Sequence, residues 1–263
     1  MLTSNFANGV AVVTLSHPPV NAISEEWVER FERALDAMSA QADLRVLHIR
    51  SDQKVFSAGA DLREIRERMD GPNGADRMYS FAAGIQRLFA RIERLPQVSV
   101  AEIGGAAMGG GLELALACDL RIAADSAQMG LPEARLGLIP GAGGTQRLTR
   151  LCGRAVAARL ILGAEVIDAR TALALGVVHW VFAPTELRRQ TDEIVRRIAA
   201  LPGAALAASK ACIDAAGLPD RSGYAEELEA TRRLLNHAET RTRVNAFLAG
   251  RTDVAMRRNQ GAA

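Results

Sequence analysis

Short β-branched runs recur along this chain, and segments with helical periodicity separate them. Residues 9–15, Gly-Val-Ala-Val-Val-Thr-Leu, form the first such run. His17-Pro-Pro-Val-Asn21 ends it. Ser24 then caps a helix carrying Trp27, Val28, Phe31, Leu35 and Met38 on one face. Residues 44–49, 98–103 and 120–123 repeat the strand signature. Helical stretches lie between them: 62–69, about 76–95, and a short apolar one ending near Cys118. Alternation of this kind predicts an α/β fold with crossover connections. Beyond Pro140-Gly-Ala-Gly-Gly144 the pattern turns helical, with helices expected over 155–162, 168–175, 186–200, 204–215 and 226–247. The expected organisation is an α/β core over 1–200 followed by a helical region over 201–263.

Two glutamates stand out within this frame. Glu113 follows Met108-Gly-Gly-Gly-Leu, and Glu133 closes Gly130-Leu-Pro-Glu133. A glutamate in apolar sequence must be exposed, paired or useful. Two that converge on one pocket supply a general acid and a general base. Each also has a plainer reading. Glu113 can complement a helix dipole, and Glu133 can be a first-turn residue after Pro132.

The glycines beside Glu113 do not form a nucleotide loop. A GxGxxG motif needs glycine where Leu114 stands, and the run at Gly141 fails at Gln146. A P-loop needs a lysine, and none is near. What Gly109, Gly110 and Gly111 can offer is exposed backbone amide at a helix start. A close-packed turn without a ligand is the alternative. Ser57-Ala-Gly-Ala60 is a second small-residue loop between strand and helix. Two such loops can give one amide each to a single oxygen.

Bulk properties exclude several classes. Net charge is +2, and Lys54 and Lys210 are the only lysines, so no strong field invites nucleic acid or membrane. Cys118, Cys152 and Cys212 are far apart, which argues against a disulfide framework or a zinc site. No metal site is expected, and a reducing cytoplasm is the expected location. The N-terminus lacks the pattern of a signal peptide. No uncharged apolar run reaches about 18 residues, so no membrane span is expected.

Several ordered motifs together resemble the crotonase superfamily, and most of all its enoyl-CoA hydratases. They are Phe56-Ser-Ala-Gly-Ala-Asp61-Leu, Gly105-Ala-Ala-Met-Gly-Gly-Gly-Leu-Glu113, Ala117-Cys-Asp119 and Pro132-Glu133-Ala-Arg-Leu-Gly-Leu-Ile-Pro-Gly-Ala-Gly-Gly-Thr-Gln-Arg-Leu148. The resemblance runs from about Phe6 to about Lys210. It implies a spiral of repeated β-β-α turns with a C-terminal helical region for trimer packing. It implies an acyl thioester of coenzyme A as substrate, with no separate cofactor, and a homotrimer or dimer of trimers. By position, the amides of Ala60 and Gly110 match the oxyanion hole. Glu113 matches the glutamate that deprotonates water, and Glu133 the one that protonates C2. Ser57, Ala58, Gly59, Ala60, Asp61 and Leu62, with Gly109 and Gly110, match the substrate and CoA contacts.

The reaction so implied is hydration of a 2-trans-enoyl-CoA. Isomerisation, or hydration of a branched or carboxylated enoyl-CoA, is the alternative. RNA binding is a more distant one, and the dispersed arginines speak against it. Met69, Met78, Tyr79 and Phe81 either shape the acyl pocket or fill core. Lys210 and Arg251 read as exposed structural positions, with CoA phosphates as the alternative. The stretch 248–256 lacks the proline and aromatic that many relatives place there.

Overall fold

The computed structural model describes residues 1–216 and 222–249. Strands β1 (Leu2–Ala7) and β2 (Val10–Leu15) form a hairpin about Asn8-Gly9, whose φ angles are 52° and 75°. Two left-handed residues give the turn a twist that matches its strands. Helix α1 (Glu25–Ser39) follows, and the Ser24 hydroxyl accepts from Trp27 N–H at 3.1 Å. Next come β3 (Val46–Ser51), α2 (Leu62–Asp70), α3 (Gly74–Glu93), β4 (Val98–Ile103), β5 (Ala107–Met108) and α4 (Gly110–Leu116). Strands β6 (Leu120–Ala124) and β7 (Gln128–Gly130) lead through a 3₁₀ turn, Pro132–Leu136, into α5 (Gly144–Leu162). The remainder is β8 (Val166–Asp168), α6 (Ala169–Ala174), β9 (Trp180–Phe182), α7 (Pro184–Ala199), α8 (Gly203–Ala215), α9 (Gly223–Leu235) and α10 (Ala238–Leu248).

Six strands make one sheet in the order β1-β2-β3-β4-β6-β9, parallel except for β1 against β2. A second layer pairs β5 parallel with β7 and β7 antiparallel with β8. Single parallel bridges from Ile23 to Ala60 and from Ser57 to Ala107 extend that layer. Each turn of the chain thus gives a strand to the large sheet, a short extended piece to the small layer, and a helix. That is the β-β-α spiral the resemblance implies, with α8 to α10 after it. Apolar burial on both sheet faces explains the near-continuous hydrophobic reading of β3 and β4. Trp27, Phe31, Phe56 and Phe89 are fully buried in this core.

Four expectations change. Strand β1 was not foreseen, because Leu-Thr-Ser-Asn-Phe-Ala is polar, mostly exposed and at the sheet edge. The helix expected over 155–162 begins at Gly144 and kinks at Gly153, where φ is 81°. The helix expected over 226–247 is two helices. Asn236 ends α9 by donating its side-chain amide to Arg232 O at 3.1 Å, and His237 is extended before α10. Lys210 is buried rather than exposed. Its Nζ donates to Asp119 Oδ2 at 2.8 Å and Gln97 O at 3.3 Å, fastening α8 to the core. Arg251 and most of 248–256 lie outside the described residues. Among the described residues, no single helix is long and apolar enough to cross a membrane, and no cluster of three His, Cys, Asp or Glu could hold a metal ion.

Candidate active site

Residues 56–60 run parallel to 106–110. The N–H groups of Phe56 and Ser57 donate to Ala106 O at 2.9 and 3.1 Å, and Met108 N–H donates to Ser57 O at 3.0 Å. On the opposite side, Ile23 N–H donates to Gly59 O at 2.8 Å and Asp61 N–H donates to Ile23 O at 3.0 Å. Extended backbone alternates the direction of its polar groups, so Ala60 N–H points away from Ile23. It shares that side with Gly110, the first residue of α4, whose N–H has no intrahelical acceptor. A Cβ on Gly110 would stand 3.5 Å from the Ala60 nitrogen. Neither N–H donates to a protein group among the described residues. Gly59 makes this approach possible: its φ is 89°, and a Cβ there would stand 2.9 Å from Gly110 N. Two preorganised donors facing one place are the geometry that stabilises an oxyanion.

Glu113 sits one turn into α4 and is 3% exposed. Its Oε1 accepts from Ala142 N–H at 2.8 Å and from Gly144 N–H, at the start of α5, at 2.7 Å. Burial pushes its pKa up to about 7, and the nearby Glu133 carboxylate adds to the rise. The two amides pull the other way by favouring the ionised form. Glu133 lies in the 3₁₀ turn that Pro132 opens. Its Oε2 is buried with no hydrogen-bond partner among the described residues, and burial raises its pKa. The two carboxyls therefore differ in kind. Two donors hold one of them, and the other has none on its buried oxygen. Burial raises both, so each can exchange a proton near neutral pH, and the amides fix the orientation of Glu113.

Both glutamates and both amides line one cavity of about 510 Å³. Of the other expected contacts, Ala58, Gly59, Leu62 and Gly109 also line it. Ser57 and Asp61 do not. Ser57 is fully buried, donates its hydroxyl to Asn21 O at 2.7 Å and accepts from Gly59 N–H at 3.2 Å. Asp61 caps α2 by accepting from Arg63 N–H at 2.8 Å. Both shape the loop from within. Met78, Tyr79 and Phe81 line the cavity, whereas Met69 does not. Cys118 is buried, which pushes its thiol up to about 12, far from a nucleophile.

Sequence reasoning missed Asn21. It is fully buried with φ 50°, accepts from His17 N–H at 2.7 Å, and donates to Ser51 Oγ at 2.8 Å and Phe56 O at 3.0 Å. It fastens the loop that presents Ala60. In the sequence it read as part of a break after β2 and of the family-like stretch Val20-Asn-Ala-Ile-Ser24, but its holding role did not show, since its partners are 30 and 35 residues away.

The chain is thus a spiral α/β body whose site sets two backbone donors and two carboxyls on one largely apolar cavity. The profile of the enoyl-CoA hydratase/isomerase family matches residues 5–253, and the chain belongs to that family. An enoyl-CoA hydratase structure from Geobacillus kaustophilus superposes with a TM-score of 0.90 at 34% identity, covering 95% of this chain and 94% of that one. A short-chain-enoyl-CoA hydratase of Clostridium acetobutylicum is 37% identical over 207 residues, 78% of this chain and 77% of that protein. The mitochondrial methylglutaconyl-CoA hydratase of Mus musculus is 41% identical over 178 residues, 67% of this chain and 54% of that protein.

Proposed function

We propose that the protein adds water to 2-trans-enoyl-CoA, giving 3-hydroxyacyl-CoA, within fatty-acid or related acyl-CoA catabolism. One observation carries this reading: two buried carboxyls, one of them held by two backbone amides, face the same cavity as the amides of Ala60 and Gly110. The thioester oxygen accepts from Ala60 and Gly110 N–H. Attack at C3 moves electrons through the conjugated bond onto that oxygen, where the amides stabilise the charge. Losing one such donor typically costs about 10²–10³ in rate. Glu113 takes a proton from water as its oxygen bonds to C3. Glu133 delivers a proton to C2 as the thioester carbonyl re-forms. The product gains one hydroxyl and one hydrogen, and the reaction needs no cofactor beyond the CoA of the substrate.

Isomerisation would use the same amides with a single carboxyl, and the presence of two favours hydration. The substitutions Glu113→Gln and Glu133→Gln, assayed by loss of the conjugated thioester absorbance, test the assignment. Each is expected to remain folded and to lose at least about 10²-fold in kcat. Near-wild-type hydration by either variant would remove that residue from the mechanism.

The same reading includes a homotrimer or dimer of trimers in the cytoplasm, packed through the region beyond residue 200. Exposed apolar side chains on the last helices, Ile213, Tyr224, Leu228 and Phe247, support the packing role. A monomeric mass in solution would count against it.

A further inference from the structure

We infer that Arg147 is a positioning residue for Glu113: its guanidinium braces the loop whose amides hold that carboxylate. The loop Ala142-Gly143-Gly144 lies between the two side chains. On one side, Glu113 Oε1 accepts from Ala142 and Gly144 N–H. On the other, Arg147 Nη1 donates to Ala142 O at 2.9 Å. The guanidinium packs so closely on Gly143 that a Cβ there would stand 2.2 Å from Nη1. A Cβ on Gly144 would stand 2.9 Å from Glu113 Oε1. One layer of bare backbone thus separates the arginine from the carboxylate.

Arg147 is itself held. Its Nε and Nη2 donate to Glu93 Oε2 at 3.1 and 2.9 Å, and Arg150 Nη2 donates to the other Glu93 oxygen at 2.6 Å. The side chain of Arg147 is 7% exposed. A cation in the first turn of α5 opposes the helix dipole, so its position there must be compensated. Glu93 compensates it, and the carboxylate of Glu113 beyond the loop gains from the same charge. A chain of contacts therefore runs from the end of α3 through Glu93 and Arg147 to the loop and to Glu113. A merely structural arginine would tie α3 to α5 and leave Glu113 indifferent to its loss.

The test compares Arg147→Met and Arg147→Lys with wild type, each checked for folding by circular dichroism. Two readouts are followed: the pH profile of kcat, and the titration of the Glu113 carboxyl carbon in ¹³C-glutamate-labelled protein. Glu113→Gln assigns that signal. Arg147→Met is expected to lose roughly 10–10²-fold in kcat with little change in KM. Its acid limb and its Glu113 titration are expected to move together to higher pH. Arg147→Lys keeps the charge, but one ammonium cannot serve both Ala142 O and Glu93. It is expected to restore the acid limb and only part of kcat. A folded Arg147→Met with wild-type kcat and titration would overturn the inference, as would full recovery of kcat by Arg147→Lys. The kinetic arm rests on the hydratase reading. If wild type turns over no enoyl-CoA, that reading fails and the titration alone decides the role of Arg147.

Discussion

The carboxylate of Glu133 lies directly over the bare Cα of Gly109: a Cβ at that position would stand 2.8 Å from Glu133 Oε1. Gly109 also has φ 51°, and its carbonyl accepts from Glu113 N–H at 3.0 Å. One residue therefore sets the start of α4, the approach of Glu133 and the position of Glu113. Gly109→Ala is expected to cost about 1–2 kcal/mol from its backbone conformation alone. Displacement of Glu133 is expected to lower kcat by roughly 10²-fold. Thermal unfolding and steady-state hydration of crotonyl-CoA check the two effects, and retention of full activity would show that Glu133 tolerates the shift.

Glu113 makes stability depend on pH in a defined direction. Its pKa rises from 4.5 to about 7 on folding, because burial penalises the ionised form. The folded state thus binds a proton more tightly than the unfolded chain. The associated stability is present below the unfolded pKa and is lost as pH rises through about 7. The full difference is on the order of 3 kcal/mol. Glu113→Gln removes this titration. Its unfolding free energy relative to wild type is expected to increase between pH 5 and pH 8, measured by urea denaturation at each pH. A constant difference across that range would contradict the raised pKa.

Lys210 is expected to matter for stability and not for CoA. Its partner Asp119 also accepts from Ser99 N–H at 2.7 Å and Ser99 Oγ at 2.9 Å, so removing the ammonium leaves a half-buried carboxylate among fixed neighbours. Leaving a partly buried charged group without its partner costs about 1–3 kcal/mol. Lys210→Met should show a lower denaturation midpoint with an unchanged KM for acyl-CoA. A raised KM at unchanged stability would instead place Lys210 on a CoA phosphate.

The parts legible in the sequence were those carried by local pattern. Apolar runs marked β2, β3, β4 and β6, and the Ser24 cap marked α1. Runs of small residues between strand and helix, 57–60 and 109–111, marked both loops of the site. What escaped depends on partners distant in sequence. Asn21 holds Ser51 and Phe56, 30 and 35 positions away, and Arg147 is anchored by Glu93, 54 positions away. The hairpin at Asn8-Gly9 did carry a turn signal, but the polar side chains of β1 hid the strand before it. The break at Asn236 was invisible because two interrupting residues barely disturb a helical period.

The cavity walls argue for an apolar acyl group. Among the described residues, the only polar side chain lining it besides Glu113 and Glu133 is Tyr79, and no cation lines it. The nearby Arg68 stacks 4.2 Å from the Phe81 ring centre and is paired with Glu25 at 3.1 Å and Glu64 at 3.0 Å. Met78, Phe81, Ile85 and Leu138 supply wall instead. A second carboxylate on the acyl chain would enter a desolvated space beside two glutamates, with no counter-charge among the described lining residues. Juxtaposed like charges cost several kcal/mol. A methylglutaconyl-type substrate is therefore expected to show kcat/KM at least about 10²-fold below an unbranched enoyl-CoA of similar length. Steady-state assays of crotonyl-CoA, a medium-chain enoyl-CoA and the carboxylated thioester make the comparison. Equal or better turnover of the carboxylated substrate would mean that a cationic group reaches the acyl end of the site, and the apolar assignment would fall.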